Sequence, residues 1–337
     1  MKKKVIMAVF LIGILLIVGF SVYGLNKFFN SPQMLTKKYS EELGDVISLE
    51  ENQKVIRVIK ENIDKDEVED YVVLYGKEKY SDVSNVEGAA PNLEMYTDVG
   101  IQYINGENSE VIKYDSGKTF DVNVEVSVQT NQDTNYIFIA DSNTGNICFL
   151  KLNEDKTFKD IAKETFGDEP KGYMISSTWD TTNDSKLKVR LDKESIEYLP
   201  EKADEYILDY SNSKVSANSY RQKYVMNKFN YFVAEVAKQD KKTSKVDTKT
   251  EEKTEEKKEE NDNTQTTEET KTTNETENTA KNSDTPKLQI IGVQNILYVN
   301  ATSTDIKNDY KKAEGKVKTI FEIKDDKLVV VDVVVEK

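Results

Sequence analysis

Short apolar runs punctuated by polar turns dominate the chain, and most of those runs have the length of strands rather than helices. Residues 54–59 (KVIRVI) and 71–75 (YVVLY) are two such runs. Val122, Val124, Val126 and Val128 alternate with polar residues, the period-two pattern of a half-buried strand. Residues 136–140 and 147–152 flank Asp141, Ser142, Asn143, Thr144, Gly145 and Asn146, a run of turn formers that predicts a hairpin. Leu187, Val189 and Leu191 alternate again. One helix is predicted near the start, with Ser31 as N-cap, Pro32 as its first residue and an end near Leu43. The aromatics of 220–237 fit either a helix or a strand. Three further strands are predicted over 288–299, 316–323 and 328–335. The last of them, LVVVDVVV, is apolar nearly throughout and expects cover on both faces.

Two segments break this pattern. Lys2, Lys3 and Lys4 precede an uncharged apolar run that begins at Val5 and closes at Leu25. Its length, about 31 Å as a helix, matches a bilayer core, so a single transmembrane helix is expected there. Lysines before the span keep the N-terminus cytoplasmic and place the bulk of the chain outside the cell. A cleaved secretory signal is the alternative, with the remainder secreted. Residues 239–286 are the second exception. They are low-complexity, mostly Lys, Glu, Thr, Asn and Asp, with no aromatic residue and Val246 as the only large aliphatic, a composition that cannot offset chain entropy by burial and predicts disorder.

Four regions result: an anchor over 1–25, a β-rich extracytoplasmic domain over 26–238, a disordered insertion over 239–286 and C-terminal strands over 287–337. About 50 residues rarely hold a core alone, so the C-terminal strands are expected to complete the β-domain. The expected class is mainly β.

Composition narrows the chemistry. The chain has 47 Lys plus Arg against 61 Asp plus Glu, a formal charge of −14, which argues against nucleic acid as a partner. It contains no histidine, which removes His-based triads, His general bases and His-ligated zinc. Cys148 is the single cysteine, so no internal disulfide or C-x-x-C pair exists, and its apolar neighbours mark it as a core residue.

One loop carries candidate metal chemistry. Between KVIRVI and YVVLY, Asn62, Asp64, Asp66 and Asp70 place side-chain oxygens at positions 1, 3, 5 and 9, a spacing with which a compact loop can wrap calcium. An acidic turn that binds nothing is the plainer alternative. This loop resembles the D-x-D-G-D-G-x-x-D calcium loop of FG-GAP/VCBS repeats, the blades of integrin-type β-propellers. The hairpin over 137–152 and the stretch from Val293 to Val330 are similar to VCBS-like extracytoplasmic proteins of low-GC Gram-positive bacteria. The resemblance implies a degenerate or partial propeller-like sheet domain, calcium as a ligand, and Asn62, Asp64, Asp66, the Val68 carbonyl and Asp70 as its ligands. Asn62 stands where the family has Asp, and Lys65 and Glu67 stand where it has Gly.

The expected function is a membrane-anchored, non-enzymatic binding or structural module of the bacterial envelope, with an envelope protein or polymer as partner. A carboxylate-based cell-wall polymer hydrolase, or a sensory ectodomain acting through a partner membrane protein, are the alternatives.

Overall fold

Hairpin after hairpin builds four antiparallel sheets. In the computed structural model the described residues are 30–82, 91–180, 182–183, 185–193, 195–201, 205–212, 222–224, 228–237, 287–299 and 313–337. Helix α1 (Pro32–Leu43) leads into sheet I, formed by β1 (Gln53–Glu61), β2 (Asp70–Tyr80), β3 (Leu93–Ile104) and β4 (Val111–Asp121) in that order. Sheet II is β5 (Glu125–Asn131), β6 (Thr134–Ala140), β7 (Ile147–Leu152) and β8 (Phe158–Asp160), followed by the short helix α2 (Ile161–Phe166). Sheet III is β9 (Met174–Trp179), β10 (Lys186–Asp192) and β11 (Glu205–Asp209). Sheet IV joins β12 (Gln222–Tyr224) and β13 (Tyr231–Val236) to β14 (Leu288–Val299), β15 (Ala313–Lys324) and β16 (Lys327–Glu336).

The turns show why these hairpins form. Asp325 and Asp326 both take positive φ, 51° and 55°, which gives the β15–β16 turn the twist that two-residue hairpins need. Asp141 ends β6 and fastens the next turn by accepting from Asn143 N, Thr144 N and Thr144 Oγ1. Helix α1 has Ser31 at its N-cap without a side-chain bond. Thr36 ties it to the sheet instead, accepting from Val55 N at 2.8 Å.

Apolar faces then stack the sheets. Ile56, Leu74, Ile101 and Phe120 of sheet I pack on Ile137, Ile139, Cys148 and Leu150 of sheet II. The opposite face of sheet II, through Phe138 and Phe149, packs with Phe166 of α2 on Phe232, Ile290 and Phe321 of sheet IV. Sheet III, through Leu187, Val189 and Leu208, packs on Ile296, Val317 and Val333 of sheet IV. Asp160 locks the sheet I–sheet II junction: it accepts from Tyr114 Oη at 2.6 Å and caps α2 through Lys163 N.

This stacking corrects the propeller expectation. Val317 and Phe321 lie four apart on β15, and Leu288, Ile290 and Ile296 share one parity on β14, so sheets II and III sit on the same face of sheet IV. Propeller blades present opposite faces to their two neighbours. Here no sheet closes and no ring forms among the described residues.

Other expectations change as well. The strand expected over 122–128 begins at Glu125, because Asp121 and Val124 close a turn first. The 220–237 segment yields strands β12 and β13. Strand β14 pairs with both of them and with β15, so Val236 and Lys287 fall within one compact unit. Strand β16 is covered on one face only: Val329 and Val331 are 41% and 48% exposed on the other. Among the described residues no helix is long and apolar enough to cross a membrane. The anchor expected between Val5 and Leu25, and the insertion over 239–286, lie outside the described residues, so the described fold gives no support to a membrane attachment or a single-pass topology.

Candidate functional site

The 62–70 loop joins β1 to β2, closed by the Glu61–Asp70 pair at the strand ends. Asp70 is fully buried, and its two oxygens accept from Ile63 N at 2.8 Å and Gly106 N at 2.9 Å. Asp64 accepts from Tyr103 Oη at 3.1 Å, Asn105 Nδ2 at 2.7 Å and Asp66 N at 3.2 Å. Asp66 Oδ1 accepts from Val68 N at 2.6 Å. Asn62 Nδ2 donates to the Asp66 carbonyl, and Asn135 Nδ2 reaches the Asn62 and Ile63 carbonyls from β6. Burial, reinforced by the nearby Asp70 and Asp64 charges, pushes the Tyr103 hydroxyl far above its ordinary pKa, so it stays a donor.

Both oxygens of Asp70 and Asp64, and one of Asp66, therefore already have donors. Asn62 Oδ1, buried and unpartnered, and the second Asp66 oxygen remain. Calcium takes six to eight oxygens, and most side-chain oxygens of this loop already accept hydrogen bonds from the protein. Among the described residues no group of three or more His, Cys, Asp or Glu side chains is placed to hold a metal ion. The loop is knit by its own hydrogen bonds and braces β3. Lys65 takes φ 67°, the left-handed conformation that the resembled repeats give to glycine. The exposed Val68 packs toward Gly106, where an added Cβ would meet the Glu69 carbonyl at 2.1 Å.

Cys148 is completely buried, and burial raises its thiol pKa steeply, so it is no nucleophile.

A different place offers a surface. A groove of about 480 Å³ lies between sheets II and IV. Glu125, Ser127 and Gln129, alternate residues of β5, line it together with Phe138 and Ala140. Tyr231, Phe232, Val233 and Ala234, four consecutive residues of β13, form the facing wall. Alternate residues mean that β5 presents its face, and consecutive ones mean that β13 presents its edge. Among the described residues β13 pairs only with β14, so that edge is open. Beyond Gln129, Leu288 N donates to Asn131 Oδ1 at 3.3 Å and links β14 to β5. Sequence reasoning passed over this groove. Its one local signal is the alternation along β5, while the opposing β13 edge lies about a hundred residues away.

A second pocket, between α2 and residues 195–198, has Glu169, Lys171, Glu197 and Tyr198 on its wall. Burial pushes the Tyr198 hydroxyl up to about 12. The carboxyl groups with displaced pKa values, Glu42, Asp180, Asp209 and Asp326, all move down and lie elsewhere.

No protein family, no curated protein and no solved structure matches the chain. With the open sheets, this removes the FG-GAP/VCBS propeller assignment. The expected calcium-stabilised, membrane-anchored envelope module loses its support too, since neither a spanning helix nor a metal-holding cluster occurs among the described residues.

Proposed function

We propose that the protein is a non-catalytic sensory or adaptor domain that acts through a partner protein, taking up an extended segment of that partner along β13. The open β13 edge facing the groove carries this reading. An added strand would continue sheet IV through main-chain hydrogen bonds, and its alternate side chains would descend onto β5. Glu125 and Asp141 line the groove, and no Lys or Arg lies among the described residues of its lining, which favours a segment carrying a cationic side chain. Phe138, Ala140 and Phe232 provide an apolar floor.

The test is selection of extended peptides against the full chain, followed by fluorescence polarisation. Selected peptides are expected to be rich in Lys or Arg, to lose at least about tenfold in affinity on Glu125→Lys, and to slow amide exchange along β13. Peptides that bind the Glu125→Lys protein equally well, or that leave β13 exchange unchanged, would remove the proposal.

Carboxylate-based hydrolysis of a polymer is the second function the pockets favour, because Glu169 and Glu197 share one wall. Polymer cleavage abolished by both Glu169→Gln and Glu197→Gln would establish it.

A further inference from the structure

A third cavity, also about 480 Å³, opens between the 141–146 turn and the chain segments around Lys171 and Lys228. It is distinct from the β5–β13 groove and carries an electrostatic oddity. Lys171 and Lys228 are Cα partners in an isolated antiparallel bridge. Directly opposed side chains leave a sheet on the same face about 5 Å apart at Cβ, and like charges there repel. Both residues are exposed, and both line the cavity. Lys163 and Lys193 in the neighbouring sequence reach Asp168 and Glu201. Among the described residues neither Lys171 nor Lys228 has a carboxylate within ion-pair distance, although Glu169 shares the wall. In a chain with an excess of acidic residues, two lysines at opposed backbone positions, with no ion-pair partner among the described residues, are left for an anion from outside.

The opposite wall specifies what accompanies that anion. The Asn143 amide donates to Asp121 Oδ2 at 2.9 Å, and the Asn146 amide donates to the Thr119 carbonyl at 2.7 Å. Each amide gives one of its two N–H groups to the protein, and among the described residues no protein donor reaches the Oδ1 atoms of Asn143 or Asn146, both residues of the cavity wall. They call for a ligand with hydroxyl donors. The wall is rigid as well. Asp141 holds the turn from inside, and Gly145, at φ 69°, lies so near the Phe229 carbonyl that an added Cβ would stand 2.0 Å from it.

We propose that this cavity binds an anionic sugar. Its carboxylate or phosphate would sit between Lys171 Nζ and Lys228 Nζ, and its hydroxyls would donate to Asn143 Oδ1 and Asn146 Oδ1. The site is independent of the β13 edge, so failure of peptide binding leaves it intact, and the reverse holds.

The full chain is titrated by calorimetry with glucuronate, glucose 6-phosphate, glucose and inorganic phosphate. At least one of the two anionic sugars is expected to bind, and which one does identifies the anion. Glucose and inorganic phosphate are each expected to bind at least about tenfold more weakly than that sugar. The Lys171→Gln/Lys228→Gln double variant is expected to lose at least about tenfold in affinity while melting no lower than the parent, because a repulsive pair has been removed. A Glu125→Lys protein is expected to bind the sugar normally. Binding of glucose as tight as that of the anionic sugars, equal binding of inorganic phosphate, unchanged binding by the double variant, or no binding of either anionic sugar would each overturn the proposal.

Discussion

Gln294 holds Tyr173 as a strand would hold its neighbour. Its Oε1 accepts from Tyr173 N at 2.8 Å and its Nε2 donates to the Tyr173 carbonyl at 2.9 Å. One fully buried amide thus satisfies the backbone at the entrance to sheet III from the middle of sheet IV. Gly172 makes this possible, since a Cβ there would meet Gln294 Cδ at 2.1 Å. Replacing Gln294 with Leu keeps the volume and leaves two buried backbone groups unpaired, at a cost of roughly 3 kcal/mol. Urea denaturation is expected to show a lower midpoint with an unchanged slope.

The β16 edge of sheet IV is defended by two side chains. The two-residue turn makes Lys324 and Lys327 a hydrogen-bonded pair, and alternation then turns the N–H groups of Leu328 and, past the bulge opposite Ile320, Val333 away from β15. Leu328 N donates to Thr165 Oγ1 of α2 at 2.9 Å, and Val333 N donates to the carboxylate of Asp332 at 2.8 Å. Asp332→Val frees an edge donor and removes the only charge within LVVVDVVV. Sedimentation is expected to show a greater weight-average mass for the variant than for the parent at equal concentration.

Asp70 ties its loop together through two backbone hydrogen bonds. Asp70→Ala strands the N–H groups of Ile63 and Gly106 and is expected to cost about 2–4 kcal/mol. Millimolar calcium is expected to leave the melting temperature of the parent chain unchanged, because a ligand that does not bind the native state does not stabilise it. A calcium-dependent rise that Asp64→Ala/Asp66→Ala abolishes would show that the hydrogen bonds yield to the ion.

Acid is expected to loosen the contact between the β15–β16 turn and sheet II. Asp326 meets Lys151 at 2.9 Å and Lys159 at 3.5 Å, and the Lys151 hydrogen bond draws its pKa below the ordinary 3.8. A depressed folded-state pKa gives stability that is present above 3.8 and is lost as pH falls through the lower folded value. These side chains are about one-third exposed, so the contribution stays below about 1 kcal/mol. Asp326→Asn is expected to flatten the stability profile below pH 4 and to shift it little at pH 7, as followed by thermal melts across pH.

Cys148, fully buried between sheets I and II, reports on global opening. Its modification by a small thiol reagent is expected to follow the unfolding equilibrium through added urea, with no fast phase in the native protein.

Much of the fold was legible in the sequence because its signals are local. The helix after Ser31, the hairpin around 141–146 and the C-terminal strands each announce themselves through a cap, a turn or a period of two. Strands β3, β4, β9 and β11 did not, because their polar and apolar residues alternate less cleanly and packing on neighbouring sheets decides their state. The 62–70 loop was legible as an acidic turn. Its hydrogen bonds to Tyr103, Asn105 and Gly106 were not, since those donors come from β3 and the turn beyond it.

By itself the sequence determined the β-rich character, the hairpin turns and the absence of histidine chemistry, because propensity and composition act within a few residues. Tertiary structure alone decided which faces meet. It placed sheets II and III on one side of sheet IV, spent the loop carboxylates on hydrogen bonds, and brought β13 opposite β5 and Lys171 beside Lys228. These are pairings across tens to hundreds of residues. They follow from the burial of whole apolar faces, which no local pattern encodes.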